Sequence, residues 1–220
     1  MARTKPTVLL DRVVAGVIDL REGDAEPATD DDFTTRILDA TAELLATYGL
    51  RRWTIDDVAQ RSGVGRTTVY RTFAARDDLV HAVLARELQQ TLAAIDAGVR
   101  RYDTLEDKVI EGGLIALAAL RESLVEGLLH SDPATFLPFL TTAAGPLVAL
   151  AREALVAGLQ ESAPGIDRRR AAELAEIAGR LGLSFVLTRD TVFPIDDEAA
   201  ARESLRRVLA PLLRFGELAG

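Results

Sequence analysis

From Phe33 onward the apolar residues recur three and four apart. Phe33, Ile37, Ala40, Leu44 and Tyr48 fall on one side of a helix, with Leu45 beside them. That spacing is the 3.6-residue period of an amphipathic helix. Gly49 then predicts its end, as glycine does just past a helix C-terminus. Thr54 and Asp57 have the spacing of a capping box, opening a second helix through Ile55, Val58 and Ala59 to about Ser62. Gly63-Val64-Gly65 predicts a tight turn, and Arg66 to Phe73 a third short helix. Three short helices with a glycine turn between the last two form a helix-turn-helix pattern.

After Arg76-Asp77-Asp78 the pattern changes to long helices. One is predicted from about Asp77 to Val99, and another opens at Thr104 with Asp107 at the capping-box position. Further helical stretches cover Arg121 to His130, Ala134 to Thr141, Pro146 to Glu161, Asp167 to Thr188 and Asp197 to Phe215. No strand alternation accompanies them, so the expected fold is all-α. An N-terminal three-helix helix-turn-helix domain would precede a C-terminal helical domain. The boundaries drawn on this pattern are 1–31 for an N-terminal extension and acidic linker, 32–76 for the helix-turn-helix domain, and 77–220 for the rest. Residues 133 to 151 carry no charge, but Pro133, Pro138, Gly145 and Pro146 break them into buried helix, turn and buried helix rather than a membrane span.

Charge sharpens the picture in one window. The chain has 26 Lys and Arg against 34 Asp and Glu, a formal net charge of −8. Yet RSGVGRTTVYRTF, residues 61 to 73, holds arginines and no acid, and Arg76 follows. Charge acts locally, so an acidic total does not prevent a basic surface from meeting a nucleic acid. A recognition helix enters the major groove with its first residues toward the bases while its neighbours touch phosphates. Here those first residues are Arg66, Thr67 and Thr68. Arginine is the commonest bidentate reader of guanine, and threonine serves phosphate or the thymine methyl. Tyr70 and Arg71 follow on the same helix, and Val69 and Phe73, four apart, point to the core. There is no cysteine, which removes disulfides and thiolate chemistry and fits a reducing, cytoplasmic setting. No leader pattern is read at the N-terminus, and no membrane association is expected.

Residues 54 to 79, TIDDVAQRSGVGRTTVYRTFAARDDL, closely resemble the DNA-binding module of the TetR (tetracycline-repressor-like) family. The shared pattern is carried by Thr54, Ala59, Gly63, Val64, Thr68, Val69, Tyr70, Phe73, Arg76 and Leu79. With the first helix included, the match covers about residues 32 to 80. Gly65 stands where the family often has serine, and Ala75 where it usually has a helix cap. The resemblance implies that Thr68, Tyr70 and Arg76 contact phosphate, while residues around Arg66 and Thr67 face bases. It also implies a homodimer on a palindromic duplex operator, most often a repressor, whose C-terminal domain binds a small molecule and then releases DNA. The candidate DNA-contacting set is Thr54, Arg66, Thr67, Thr68, Tyr70, Arg71 and Arg76. The competing reading is an all-α enzyme or an adaptor whose basic module meets protein instead.

Other motifs lead nowhere. Gly63 to Thr68 lacks the spacing of a phosphate loop and follows a helix rather than a strand. His130-Ser131-Asp132 holds triad letters, but adjacent residues cannot converge as a triad must. Two histidines without a ligand cluster leave no metal site, no catalytic constellation and no expected cofactor. For the effector, apolar groups around broken helices, taken with the resemblance, suggest a pocket near Leu117, Arg121, Phe136, Phe139 and Phe185, with Arg121 as the polar anchor for a ligand that carries a carboxylate. For the dimer, Ala171, Ala175 and Gly179 repeat every four residues, with Ala178 and Gly182 beside them. Together with Leu205, Val208 and Leu212 of the last helix, they predict a four-helix interface about a two-fold axis.

Overall fold

The structure, a computed structural model, describes residues 29–217 apart from 122, 189 and 195, with 29–31, 120, 121 and 209–217 described as backbone only. The segment before residue 29, including the N-terminal extension and most of the acidic linker, lies outside the described residues. Among those described there are ten helices and no strand: α1 Thr29–Tyr48, α2 Ile55–Ser62, α3 Arg66–Thr72, α4 Arg76–Val99, α5 Leu105–Arg121, α6 Leu124–Ser131, α7 Pro133–Leu140, α8 Gly145–Ser162, α9 Arg168–Leu187 and α10 Glu198–Glu217. The uncharged stretch is broken as its prolines and glycine require, into α7, a turn and α8. No single described helix is long and apolar enough to cross a membrane.

One expectation shifts at the start of α1. The helix begins at Thr29, so Asp30 and Asp31, assigned above to the acidic linker, stand with Asp32 inside its first turn. Carboxylates there still suit the positive end of the helix dipole. At its far end Gly49 takes a left-handed φ of 68°, with its N–H donating to the Leu45 carbonyl at 2.9 Å.

The chain divides into two compact units, the first taking in residues up to Gln89 together with Ser123–Leu147, the second Gln90–Glu122 with Val148 onward. The division by packing therefore runs through α4, not at residue 76, and it places α6 and α7 with the helix-turn-helix. In this first unit α1 packs on α2 and α6, α2 on α3, and α6 on α7. Its interior holds Ile37, Ala40, Leu44 and Leu45 of α1, with Trp53, Val58, Val64, Val69, Phe73, Leu79, Val83, Leu128 and Phe136. Phe33 and Tyr48, at the two ends of the α1 stripe, stay exposed, since only the middle of that stripe is covered. Phe136 is the largest fully buried side chain and stacks on Phe139, whose ring lies 5.0 Å from the imidazole of His81 on α4.

The second unit is organised around α5, which packs on α10 and α9. Ile110, Leu114 and Ala201 form one cluster with Leu205 against it, and Val156, Ala171 and Ala175 form another. Glu111 of α5 is buried yet charged, and the fork of Arg202 on α10 meets it with two bonds, Nε to Oε1 at 2.6 Å and Nη2 to Oε2 at 2.9 Å. A buried carboxylate is tolerable only when paired in this way. The Arg202 guanidinium holds the Glu111 carboxyl below the usual carboxylate range, against the opposing effect of burial.

Candidate nucleic-acid interface

Local chemistry fixes where α2 and α3 begin and end. The Thr54 N–H and hydroxyl both donate to Asp57 Oδ2, at 2.7 and 2.8 Å, and the Asp57 N–H donates back to Thr54 Oγ1 at 3.3 Å. This is the capping box read from the sequence. Its hydrogen bonds hold the Asp57 carboxyl below the usual range. Thr54 is committed to its own helix by this geometry, with its hydroxyl turned to Asp57.

Past Ser62 the chain must reverse, and Gly63 does so at φ 65°. A side chain there would be strained by the backbone alone. It would also meet Arg36 of α1, because a Cβ on Gly63 would sit 2.8 Å from Arg36 Nη2. That same nitrogen donates to the Ser62 carbonyl at 2.6 Å, satisfying one of the free carbonyls at the end of α2. Val64 is buried, and its N–H donates to Ser62 Oγ at 3.2 Å.

With the turn closed, α3 is held by two anchors. Val69 is fully buried and Phe73, just past the helix, nearly so. Their four-residue spacing turns Arg66, Thr67, Tyr70 and Arg71 outward, with Thr68 half-buried. The predicted set around α3 is thus gathered on one short, externally presented helix. Gly65 precedes it without any side-chain cap.

The four arginines of the basic window take different environments. Arg61 pairs with Glu43 of α1. Arg66 bonds Asp56 of α2 through Nη1 at 2.9 Å, and its guanidinium carbon lies 5.4 Å from the centre of the Tyr70 ring. Arg71 is exposed on α3. Arg76, at the start of α4, lies 4.3 Å from the Trp53 ring centre, a cation–π stack. Its Nε and Nη2 are enclosed without a hydrogen-bond acceptor, as is Trp53 Nε1, and burial lowers the guanidinium pKa from its ordinary value. Ala75 offers no capping side chain, but its N–H is taken by Asp78 Oδ2 at 2.9 Å. Three contributors escaped the sequence reading: Asp56, Arg36 and Trp53. The lone tryptophan beside the Thr54 cap was the available signal.

The pocket and dimer residues are distributed otherwise than expected. Phe136 and Phe139 belong to the first unit, whereas Leu117 and Phe185 belong to the second. Phe136 is core, not lining, because it fills the interior of the helix-turn-helix unit. Phe185 is half-buried and meets Phe193 edge-on at 5.8 Å, and the side chain of Arg121 lies outside the described residues. In the small-residue stripe, Ala171 and Ala175 are buried against Val156 of α8, and Gly179 approaches Ala151 of the same helix. That side of α9 is occupied within the chain. Its exposed apolar face carries Leu174, Ile177, Ala178 and Leu181 instead, with Gly182 in open space. Leu205 packs on the α5 cluster, Val208 of α10 is exposed, and the side chain of Leu212 lies outside the described residues. Among the described residues no group of three or more His, Asp or Glu is placed to hold a metal ion.

Comparison with known proteins fits this geometry. Residues 37–83 match the model for bacterial regulatory proteins of the tetR family. Residues 113–211 match the model for the bacterial tetracyclin repressor C-terminal domain. The uncharacterized HTH-type transcriptional regulator Rv2250c of Mycobacterium tuberculosis is 26% identical over 179 residues, 79% of this chain and 90% of that protein. Among solved structures, the TetR family repressor AlkX from Dietzia sp. strain DQ12-45-1b, implicated in biodegradation of n-alkanes, is 28% identical. It superposes with a TM-score of 0.68 over 81% of this chain and 96% of its own. The R. erythropolis repressor QsdR shares the fold at 20% identity, with a TM-score of 0.59 over 84% of this chain and 96% of its own. Two models of one family, in the expected order and together spanning about two thirds of the residues, fall on a helix-turn-helix whose caps and anchors are in place; the chain belongs to the TetR family of DNA-binding transcriptional regulators.

Proposed function

We propose that the protein acts as a homodimeric repressor that binds a palindromic operator and lets go of it when a small, largely apolar molecule occupies its second unit. The observation that carries this reading is the outward face of α3, where Arg66, Thr67, Tyr70 and Arg71 stand exposed over the buried Val69 and Phe73. Arg66 and Thr67 read bases, while Thr68, Tyr70, Arg71 and Arg76 hold phosphates. Dimerisation rests on the exposed apolar residues of α9 and α10, Leu174, Ile177, Leu181 and Val208, which a monomer would leave in water. The apolar character of the effector is supported by AlkX, a repressor implicated in n-alkane biodegradation. Leu117 and Phe185, both half-buried in the second unit, are the residues assigned to meet it. A hundredfold loss of operator affinity needs about 2.7 kcal/mol of preference for the unbound arrangement, within the usual range of allosteric coupling.

The test is selection of bound fragments from random duplex DNA, followed by binding measurements on the selected sequence. A two-fold symmetric site, with half-sites about one helical turn or somewhat more apart, is the expected result. Recovery of no preferred sequence would refute the reading.

A further inference from the structure

Arg66 is the residue assigned above to base reading, and two neighbours touch it, of which one, Asp56, has been given no function. A free arginine side chain carries rotamer entropy that is lost when it docks on a base. Here two contacts restrict that freedom. Asp56 Oδ2 takes Nη1 at 2.9 Å, from a different helix, and the guanidinium carbon lies over Tyr70 at 5.4 Å. The choice of nitrogen matters. Guanine O6 and N7 take two parallel N–H groups, and the Nε–Nη2 edge of a guanidinium offers such a pair. With Asp56 on Nη1, that edge is the one left for a base.

We infer that Asp56 is a specificity-determining positioning residue: it orients Arg66 so that the Nε–Nη2 edge reads guanine, and it does so at a cost in general DNA affinity. The cost follows from charge, because a carboxylate at the face of α2 next to the reading helix repels phosphate. Asp56 is not needed for the cap of α2, which belongs to Thr54 and Asp57. Its role in orienting Arg66 is therefore separable from the cap of α2. The inference rests on the reading of Arg66 as a base contact, and the test distinguishes the two.

The experiment is selection from a randomised duplex library with the full-length protein and three variants, Asp56→Ala, Arg66→Ala and the double substitution, each checked for an unchanged thermal transition. Asp56→Ala should lower guanine enrichment at one position per half-site by roughly two- to fivefold, the scale of an exposed ion pair. It should meanwhile raise affinity for unselected duplex. Arg66→Ala should abolish enrichment at that same position, and adding Asp56→Ala to it should change the profile no further. If Arg66→Ala alters the profile and Asp56→Ala does not, the positioning role is wrong. An equal effect of Asp56→Ala with and without Arg66 would show the carboxylate acting on DNA directly, which also overturns it. A profile untouched by Arg66→Ala would remove the base-reading assignment itself.

Discussion

Thr54 is spent on the cap of its own helix. Its hydroxyl and backbone are engaged by Asp57, so an effect of Thr54 on DNA binding would pass through the placement of α2. Thr54→Ala should cost about 1 kcal/mol near neutral pH, the usual worth of a threonine cap. The sign of its pH dependence follows from Asp57. That carboxyl is held below the usual range in the folded chain. It therefore adds stability that is present above its unfolded pKa, about 3.9, and is lost as pH falls through the lower folded value. Urea midpoints of wild type and Thr54→Ala should draw closer, without meeting, as the pH is lowered toward 3, because the Asp57 N–H still donates to Thr54 Oγ1 after the carboxylate is protonated. A gap that widens as the pH falls would exclude the Thr54 hydroxyl as a partner of the Asp57 carboxylate.

At the scale of elements, the surprise is α6 and α7. They lie far along the chain from the helix-turn-helix, yet they are part of its unit. Arg51, in the loop after α1, donates to Thr135 Oγ1 at 2.7 Å and pairs with Asp132 at 3.4 Å, while Phe139 meets His81. Phe136→Ala should thus act as a core truncation, costing about 3–5 kcal/mol. Thermal melting and operator binding should decline together, and a variant with native stability would displace Phe136 from the core.

Local signals wrote most of α1 to α3 legibly into the sequence. The Thr54–Asp57 spacing, the Gly63 turn and the Val69–Phe73 pair each require only near neighbours. By contrast, nothing near Phe136 announces which unit it fills, because an apolar helix face looks alike whatever covers it. The same ambiguity hid the partner of Ala171 and Ala175, a small-residue stripe that suits α8 as well as a second copy of α9. Asp56 escaped for a related reason: an acid in a first helical turn reads as a dipole partner until Arg66 is seen across from it.

For the whole molecule, the second unit leaves apolar surface that one copy does not use. Ile177 and Leu181 of α9 are 58% and 52% exposed. Leu181→Glu should convert a dimer to a monomer by sedimentation and abolish operator binding, since a single module makes too few contacts. The same change at Gly179 would be a poorer test, because Gly179 faces Ala151 of its own chain. A dimeric Leu181→Glu protein would place the interface elsewhere.

The outward face of α3 is expected to read sequence on a polyanion. The most direct measurement is the affinity of the full-length protein for a selected operator and for a random duplex across a series of salt concentrations. Affinity for both should fall with salt as phosphate contacts release counterions, while the operator stays about 10³-fold or more tighter at moderate salt. Equal affinity for the two duplexes, or binding indifferent to salt, would contradict it.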